Sequence, residues 1–83
     1  MITAQVSVYP LRQVSIGPAI RRAVRVFRHH GLESRLGAMS TLVWGKEPAV
    51  FAALKEAFHQ AAECGDVVMV VTLSNACPSP EES

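Results

Sequence analysis

The chain has 83 residues, 49% of them hydrophobic and 18% charged, with a net charge of +1. This composition excludes an intrinsically disordered chain, and no apolar run approaches the ~20 residues that a membrane-spanning helix needs. A single domain of this size buries only ~60–65% of its unfolded surface, so its core is marginal. We therefore expect the chain to homo-oligomerise, because burial between subunits would add stability.

The chain starts directly with a strand pattern rather than with a basic segment and an apolar block, so we expect no export signal and a cytoplasmic location. Its two cysteines, Cys64 and Cys77, fit a reducing compartment. A bridge between them remains an alternative.

The first predicted strand, Ile2–Leu11, alternates apolar and polar side chains with a period of two. One face is therefore expected in the core. The other face carries hydroxyls, an amide and a phenol but no charge: Thr3, Gln5, Ser7 and Tyr9. Such a face suits a neutral polar ligand or a second subunit.

A first helix is predicted from Gly17-Pro18 to His29-His30, with Gly31 as its C-terminal cap. Its apolar stripe at helical spacing comprises Ile20, Ala23, Val24 and Phe27. The wetter side carries Arg21, Arg22, Arg25 and Arg28.

A weaker strand pattern over Leu32–Ser40 and a clearer one over Thr41–Trp44 predict an antiparallel hairpin that turns near Ala38–Ser40. The pattern leaves its register open. Either Ser40, Leu42 and Trp44 or Thr41 and Val43 join the polar face of the first strand.

A second helix is predicted to begin at Lys46-Glu47-Pro48 and to end at Gly65. Its expected apolar stripe comprises Val50, Phe51, Leu54, Ala57, Phe58, Ala61 and Ala62. The last strand, Asp66–Asn75, is expected to turn Val67, Met69, Val71 and Leu73 toward the helices and Val68, Val70, Thr72 and Ser74 toward the polar face.

The order strand–helix–strand–strand–helix–strand predicts an α+β, ferredoxin-like domain, with a four-stranded antiparallel sheet and both helices on one face. We assign residues 1–78 to this domain and residues 79–83 to a flexible acidic tail. The bare sheet face is expected to be covered by a subunit, by a ligand or by both.

The sequence contains no pattern typical of catalysis. His29 and His30 are adjacent rather than four residues apart, and no glycine-rich phosphate loop is present. We therefore predict a protein that is not an enzyme and has no metal and no cofactor. RNA binding is the less favoured alternative, since base stacking needs aromatic residues on central strands, and only Tyr9 and, in one register, Trp44 qualify.

The polar face is the candidate ligand site. Because the first and last strands are neighbours in this topology, five residues are expected to cluster: Ser7, Tyr9, Thr72, Ser74 and Asn75. The hairpin adds Ser40 and Thr41. Hydroxyl and amide groups both donate and accept hydrogen bonds, which suits a heterocycle with ring nitrogens and an exocyclic amine.

Three segments, VSVYPL, MSTLVWG and VVMVVTLSNACP, occur in the order and spacing of a known family. Over residues 2–78 the chain resembles the thiamine/hydroxymethylpyrimidine-binding family, which includes the YkoF-like proteins. The resemblance implies a ferredoxin-like domain that assembles through its sheets. It also implies binding of the aminopyrimidine of thiamine near a subunit interface, without catalysis, and some members are linked to thiamine-precursor uptake.

Carried onto the matching positions, the resemblance implies a site formed by Ser7, Tyr9, Ser40, Thr41, Ser74 and Asn75. Some relatives carry two such domains in tandem, so a single-domain chain is expected to self-associate. The site has no cluster of positive groups, which favours free thiamine or its pyrimidine over the diphosphate. The alternative is a structural or regulatory homo-oligomer whose sheet face is used entirely for subunit contact.

Overall fold

The backbone follows the predicted order of elements. A computed structural model describes residues 1–12, 17–38 and 40–76. Its elements are β1 (Ile2–Pro10), α1 (Gly17–His29), β2 (Glu33–Leu36), β3 (Thr41–Gly45), α2 (Glu47–Ala62) and β4 (Val67–Ser74). The strands form one antiparallel sheet in the order β2-β3-β1-β4. The predicted ferredoxin-like α+β fold is confirmed.

The hydrophobic core lies between the helices and one face of the sheet. Ala4 and Val6 of β1 and Val43 of β3 are buried there, whereas Gln5 and Tyr9 are exposed on the opposite face. The alternation predicted for the first strand is therefore confirmed, because successive side chains of a strand point to opposite faces.

α1 ends where the sequence predicts, just before Gly31. Gly31 adopts a φ of 74°, and its N–H donates to the Arg28 carbonyl at 3.0 Å. This left-handed conformation is one that glycine adopts without steric cost. The buried residues of α1 differ from the predicted stripe: they are Ala19, Ala23, Val26 and Phe27, while Ile20 and Val24 are only half-buried.

The apolar stripe predicted for α2 is wrong at its two largest side chains, Phe51 and Phe58. Phe51 and Phe58 are 48% and 42% exposed, and Ala62 is exposed as well. The residues that pack on the sheet are mostly alanines: Val50, Ala53, Ala57 and Ala61. Small side chains let the helix backbone lie close to the sheet, so an aromatic ring about 100° further round the helix falls outside the core.

The helices lie side by side, with α1 against β2, α2 against β4, and both in contact with β1. One ion pair and one histidine–carboxylate hydrogen bond join them. Arg22 Nη1 lies 3.2 Å from Glu63 Oε2, and His30 Nε2 lies 2.6 Å from Glu56 Oε2. These contacts fix which side of α2 faces α1.

The hairpin is confirmed, but β2 is shorter than the predicted Leu32–Ser40 strand. Leu36 pairs with Thr41, and the Gly37 N–H closes the turn by donating to the Ser40 carbonyl at 2.7 Å. Leu32 instead packs on β3, where a Cβ added to Gly45 would lie 2.6 Å from Leu32 Cδ2. The Leu32 N–H donates to the Phe27 carbonyl at 3.1 Å, which closes the end of α1 and leaves β2 to begin at Glu33.

Candidate functional site

The strand register decides which hairpin residues share the open face of the sheet. Gln5 pairs with Leu42 and Thr3 with Trp44, so Leu42 and Trp44 lie on the same side of the sheet as the polar face of β1, because paired residues point the same way. Trp44 is nevertheless only 6% exposed. Thr41 pairs with Val6 and points toward the helices, where it is only 7% exposed. Thr41 therefore does not belong to the polar face of β1.

The polar residues at the two ends of the β1–β4 ladder do not form one cluster. Thr3 pairs with Ser74, whereas Tyr9 pairs with Val68, so six ladder steps of ~3.4 Å each, roughly 20 Å, separate Tyr9 from Ser74. In an antiparallel pair the end of one strand meets the start of the other. The expected clustering of Tyr9 with Ser74 and Asn75 is wrong for this reason, and Ser7 lies between them, opposite Val70.

A cavity of about 260 Å³ lies where α1, the end of β1 and the β2–β3 turn meet. It brings together three of the six predicted site residues, namely Tyr9, Ser40 and Thr41. The other lining residues are Val6, Val8, Ile20, Ala23, Val24, Phe27, Leu36, Gly37 and Ala38. Ser7, Ser74 and Asn75 do not line it, and their part in a ligand site stays a prediction.

The lining of this cavity combines three hydroxyl-bearing residues with apolar ones. None of the described residues that line it is charged. The hydroxyls of Ser40 and Thr41 and the phenol of Tyr9 can each donate and accept a hydrogen bond. Because drug-sized ligands occupy pockets of ~300–1,000 Å³, a cavity slightly below that range suits one substituted ring.

Local backbone geometry places the two hydroxyls. The Gly37–Ser40 hydrogen bond closes the turn, and a Cβ at Gly37 would lie 3.0 Å from the Ser40 carbonyl oxygen. Thr41 is then the first residue of β3, and its pairing with Val6 directs its side chain inward. A strand pair and a tight turn thus hold Ser40 and Thr41 beside the cavity.

Sequence reasoning missed the apolar walls of the cavity. Ile20 and Val24 were assigned to the core stripe of α1, but they are half-buried and face the cavity. The sequence did contain a signal for these walls. α1 carries more apolar residues than one narrow stripe needs, since Val26 is buried although it lies outside the predicted stripe.

A second depression of about 430 Å³ runs between the helices. Its lining carries both signs of charge: Arg22, Arg25, Val26, His29, Glu56, Gln60 and Glu63. Glu63 and Glu56 are already paired with Arg22 and His30. This groove contains none of the predicted site residues.

Within residues 1–12, 17–38 and 40–76, no three His, Cys, Asp or Glu side chains are placed to hold a metal ion. No helix in the described part of the chain is both long and apolar enough to cross a membrane. Cys64 is a free, half-buried thiol. Cys77 and the predicted acidic tail lie outside the described residues.

The family model for thiamine-binding proteins matches residues 4–75, which include β1, the hairpin and β4. The chain belongs to the thiamine-binding protein family. This confirms the resemblance carried by the three sequence segments. No curated protein matches the chain.

Solved structures show the same fold as this member of the thiamine-binding family. A hypothetical protein from Methanocaldococcus jannascii is 24% identical with a TM-score of 0.83, over 98% of this chain and 89% of the other. A candidate thiamine biosynthesis/salvage protein from Thermotoga maritima is 19% identical, with a TM-score of 0.81 over 98% and 91%. A domain of unknown function from Bacillus cereus is 18% identical, with a TM-score of 0.81 over 98% and 84%. At these identities the likeness establishes the fold.

Proposed function

We propose that this protein binds thiamine or its hydroxymethylpyrimidine moiety without catalysing a reaction, and that the pyrimidine ring occupies the cavity beside Ser40 and Thr41. The observation that carries the proposal is an uncharged, ring-sized cavity lined by Ser40 and Thr41. Membership of the thiamine-binding family supports it. The structural likeness to a candidate thiamine salvage protein supports a role in uptake or salvage of thiamine precursors.

The groups that line the cavity complement an aminopyrimidine. Its ring nitrogens accept hydrogen bonds and its amine donates them, and the hydroxyls of Ser40 and Thr41 can do both. Ala23, Val24 and Phe27 offer an apolar surface to the ring and to its methyl group. Such a site orients the ring without any group that attacks it.

The charge of the cavity favours the unphosphorylated ligand. A diphosphate needs cationic or backbone N–H partners, and the described lining residues supply no cationic side chain. The described lining residues also supply no acidic partner for the positively charged thiazolium of thiamine. We therefore place the thiazolium toward solvent.

The cavity is also proposed to lie near a subunit interface. Tyr9 and Leu36 line it and remain exposed in the single chain. A second protomer that covered these residues would shield the ligand from water. This arrangement would supply the burial that an 83-residue domain lacks.

Calorimetric titration with hydroxymethylpyrimidine, thiamine and thiamine diphosphate tests the ligand. We expect binding of the first two and at least tenfold weaker binding of the diphosphate, because its phosphates find no cationic partner in the cavity. Absence of heat for all three at millimolar concentration would refute the proposal. Tightest binding of the diphosphate would refute the assignment of this cavity.

A structural or regulatory homo-oligomer without a vitamin ligand is the second candidate. The exposure of Val68 and Val70 on the open face, 45% and 50%, favours it. It predicts the same oligomer with and without ligand and no saturable heat in the titrations above.

A further inference from the structure

The side of α1 that faces away from the sheet carries cations and no acid. Its 13 residues, GPAIRRAVRVFRH, include four arginines and a histidine but neither aspartate nor glutamate. At about 100° per residue, these five side chains fall within about 120° of the helix, opposite the buried residues Ala19, Ala23 and Phe27. Half of the chain's eight lysines and arginines thus lie on one side of one helix, although the net charge is only +1.

Arg25 lies at the centre of this group. On a helix surface the neighbours of a residue are those three and four positions away, and like charges at these spacings destabilise the helix. The four such neighbours of Arg25 are all basic: Arg21, Arg22, Arg28 and His29. The helix dipole favours only Arg28 and His29, which lie in the last turn. The arginines nearer the start of α1 therefore cost stability in the free chain.

Most of this charge has no acidic partner within the fold. Glu63 of α2 pairs with Arg22, and Glu56 contacts His30. Across the described residues, the side chains of three exposed arginines make no ion pair and no hydrogen bond: Arg21, Arg25 and Arg28. We call these three residues the basic stripe.

We infer that the basic stripe docks an acidic helix of a partner protein, with one carboxylate facing each of Arg21, Arg25 and Arg28. Arg28 comes seven positions after Arg21, so the stripe is about 10 Å long. A second helix with acidic residues every three to four positions repeats this spacing, because both helices have the same rise per residue. Arginine and carboxylate groups form short, charge-assisted and often bidentate hydrogen bonds.

The surroundings of the stripe favour a narrow partner. The groove between the helices runs beside it and is lined by Glu56 and Glu63, and the Glu63 side chain is 66% exposed. A nucleic-acid duplex or an anionic membrane is wide enough to bring its own negative charge against these carboxylates. A single helix, about 10 Å across, covers the stripe and leaves them at its edge.

The stripe is separate from the proposed ligand cavity. α1 lines that cavity with Ile20, Ala23, Val24 and Phe27, and none of the three stripe arginines contributes to it. The inference therefore does not depend on the ligand proposed above.

Fluorescence anisotropy with labelled peptides tests the surface in the full-length chain. The first probe is an alanine-rich helical peptide of about 18 residues with glutamates every three to four positions. The second has the same composition, with its glutamates distributed round the helix. We expect the first peptide to bind at low salt at least tenfold more tightly than the second, and to weaken as salt rises because exposed charges are screened.

Three results of these titrations would overturn the inference. One is the absence of binding of the first peptide at millimolar concentration in low salt. Another is equal binding of the two peptides. The third is tighter binding of a single-stranded RNA, or of vesicles of anionic lipid, than of the first peptide.

The triple variant Arg21→Gln/Arg25→Gln/Arg28→Gln is expected to bind the first peptide at least tenfold more weakly. Its far-UV circular dichroism spectrum should be unchanged, because glutamine and arginine have similar helix propensities. The matched control is Arg35→Gln. Arg35 is exposed and pairs with Leu42, on the face of the sheet opposite the helices, so this variant is expected to bind within about twofold of the wild type. An equal loss in Arg35→Gln would show that only net charge matters, against the inference.

The stability of the free chain separates a docking role from a structural one. Arg25→Gln removes a charge whose neighbours on the helix are all basic, so its urea midpoint at low salt is expected to equal or exceed that of the wild type. A lower midpoint would show that contacts within the fold hold Arg25 in place, and would count against docking.

Discussion

Thr41 was predicted as a site residue, but the sequence left open which face of the sheet its side chain points to. The resemblance singled it out, but alternation alone could not decide between the two hairpin registers. The pairing of Val6 with Thr41 directs the hydroxyl under α1 and makes it a buried polar group beside a cavity. Register is a property of two strands and their turn, so a pattern within one strand does not contain it.

Replacement of Thr41 by valine is expected to weaken binding of hydroxymethylpyrimidine by about 1–3 kcal/mol, roughly 5- to 150-fold, because a buried hydrogen bond to the ring is lost while the side-chain shape is kept. Calorimetry measures the change. Ser74→Ala is the control, since Ser74 lies at the far end of the β1–β4 ladder and accepts a hydrogen bond from the Ala76 N–H at 3.0 Å. The opposite result, with only Ser74→Ala losing affinity, would place the ligand on the open face.

Among the elements, the helices were predicted more reliably in extent than in orientation. Gly17-Pro18 and Gly31 mark α1 correctly because capping and backbone preferences are local. The side of each helix that faces the sheet depends on how closely the layers approach. The alanines of α2 allow a close approach, which leaves Phe51 and Phe58 outside.

Gly31 offers a test of the helix end. Gly31→Ala is expected to destabilise the fold by about 1–2 kcal/mol, because the left-handed conformation brings Cβ close to the backbone. Steric clashes with other residues do not contribute to this loss of stability, since no atom lies within 4 Å of a Cβ added at Gly31. Urea unfolding measures the loss. Gly31→Asn should lose less, because asparagine tolerates this conformation better; equal losses would point to a cause other than backbone strain.

For the whole molecule, the sequence predicted the element order, the antiparallel sheet and the family, and the structure and the family match confirm them. Periodicity, turn residues and the right-handed crossover rule are sufficient for that level. They are not sufficient for the cavity, which is a gap among three elements. Its walls, Ile20 and Val24, look like ordinary core residues in the sequence.

Self-association should also appear in thermal stability. If the chain self-associates as proposed, the midpoint of thermal unfolding rises with protein concentration, because only the folded chain dimerises. A hundredfold increase above the dissociation constant is expected to raise the midpoint by roughly 5 °C for a domain of this size. Differential scanning calorimetry at two concentrations measures it. A midpoint that stays the same at both concentrations would contradict self-association.

The two edges of the sheet differ in their capacity to accept a further strand. β2 is only four residues long and carries Glu33 and Arg35, whereas the eight residues of β4 include no charge and no proline. Short length and charged side chains hinder backbone pairing with another chain. Sheet extension at the β2 edge is therefore disfavoured, and this asymmetry works against polymerisation of the chain by successive strand addition.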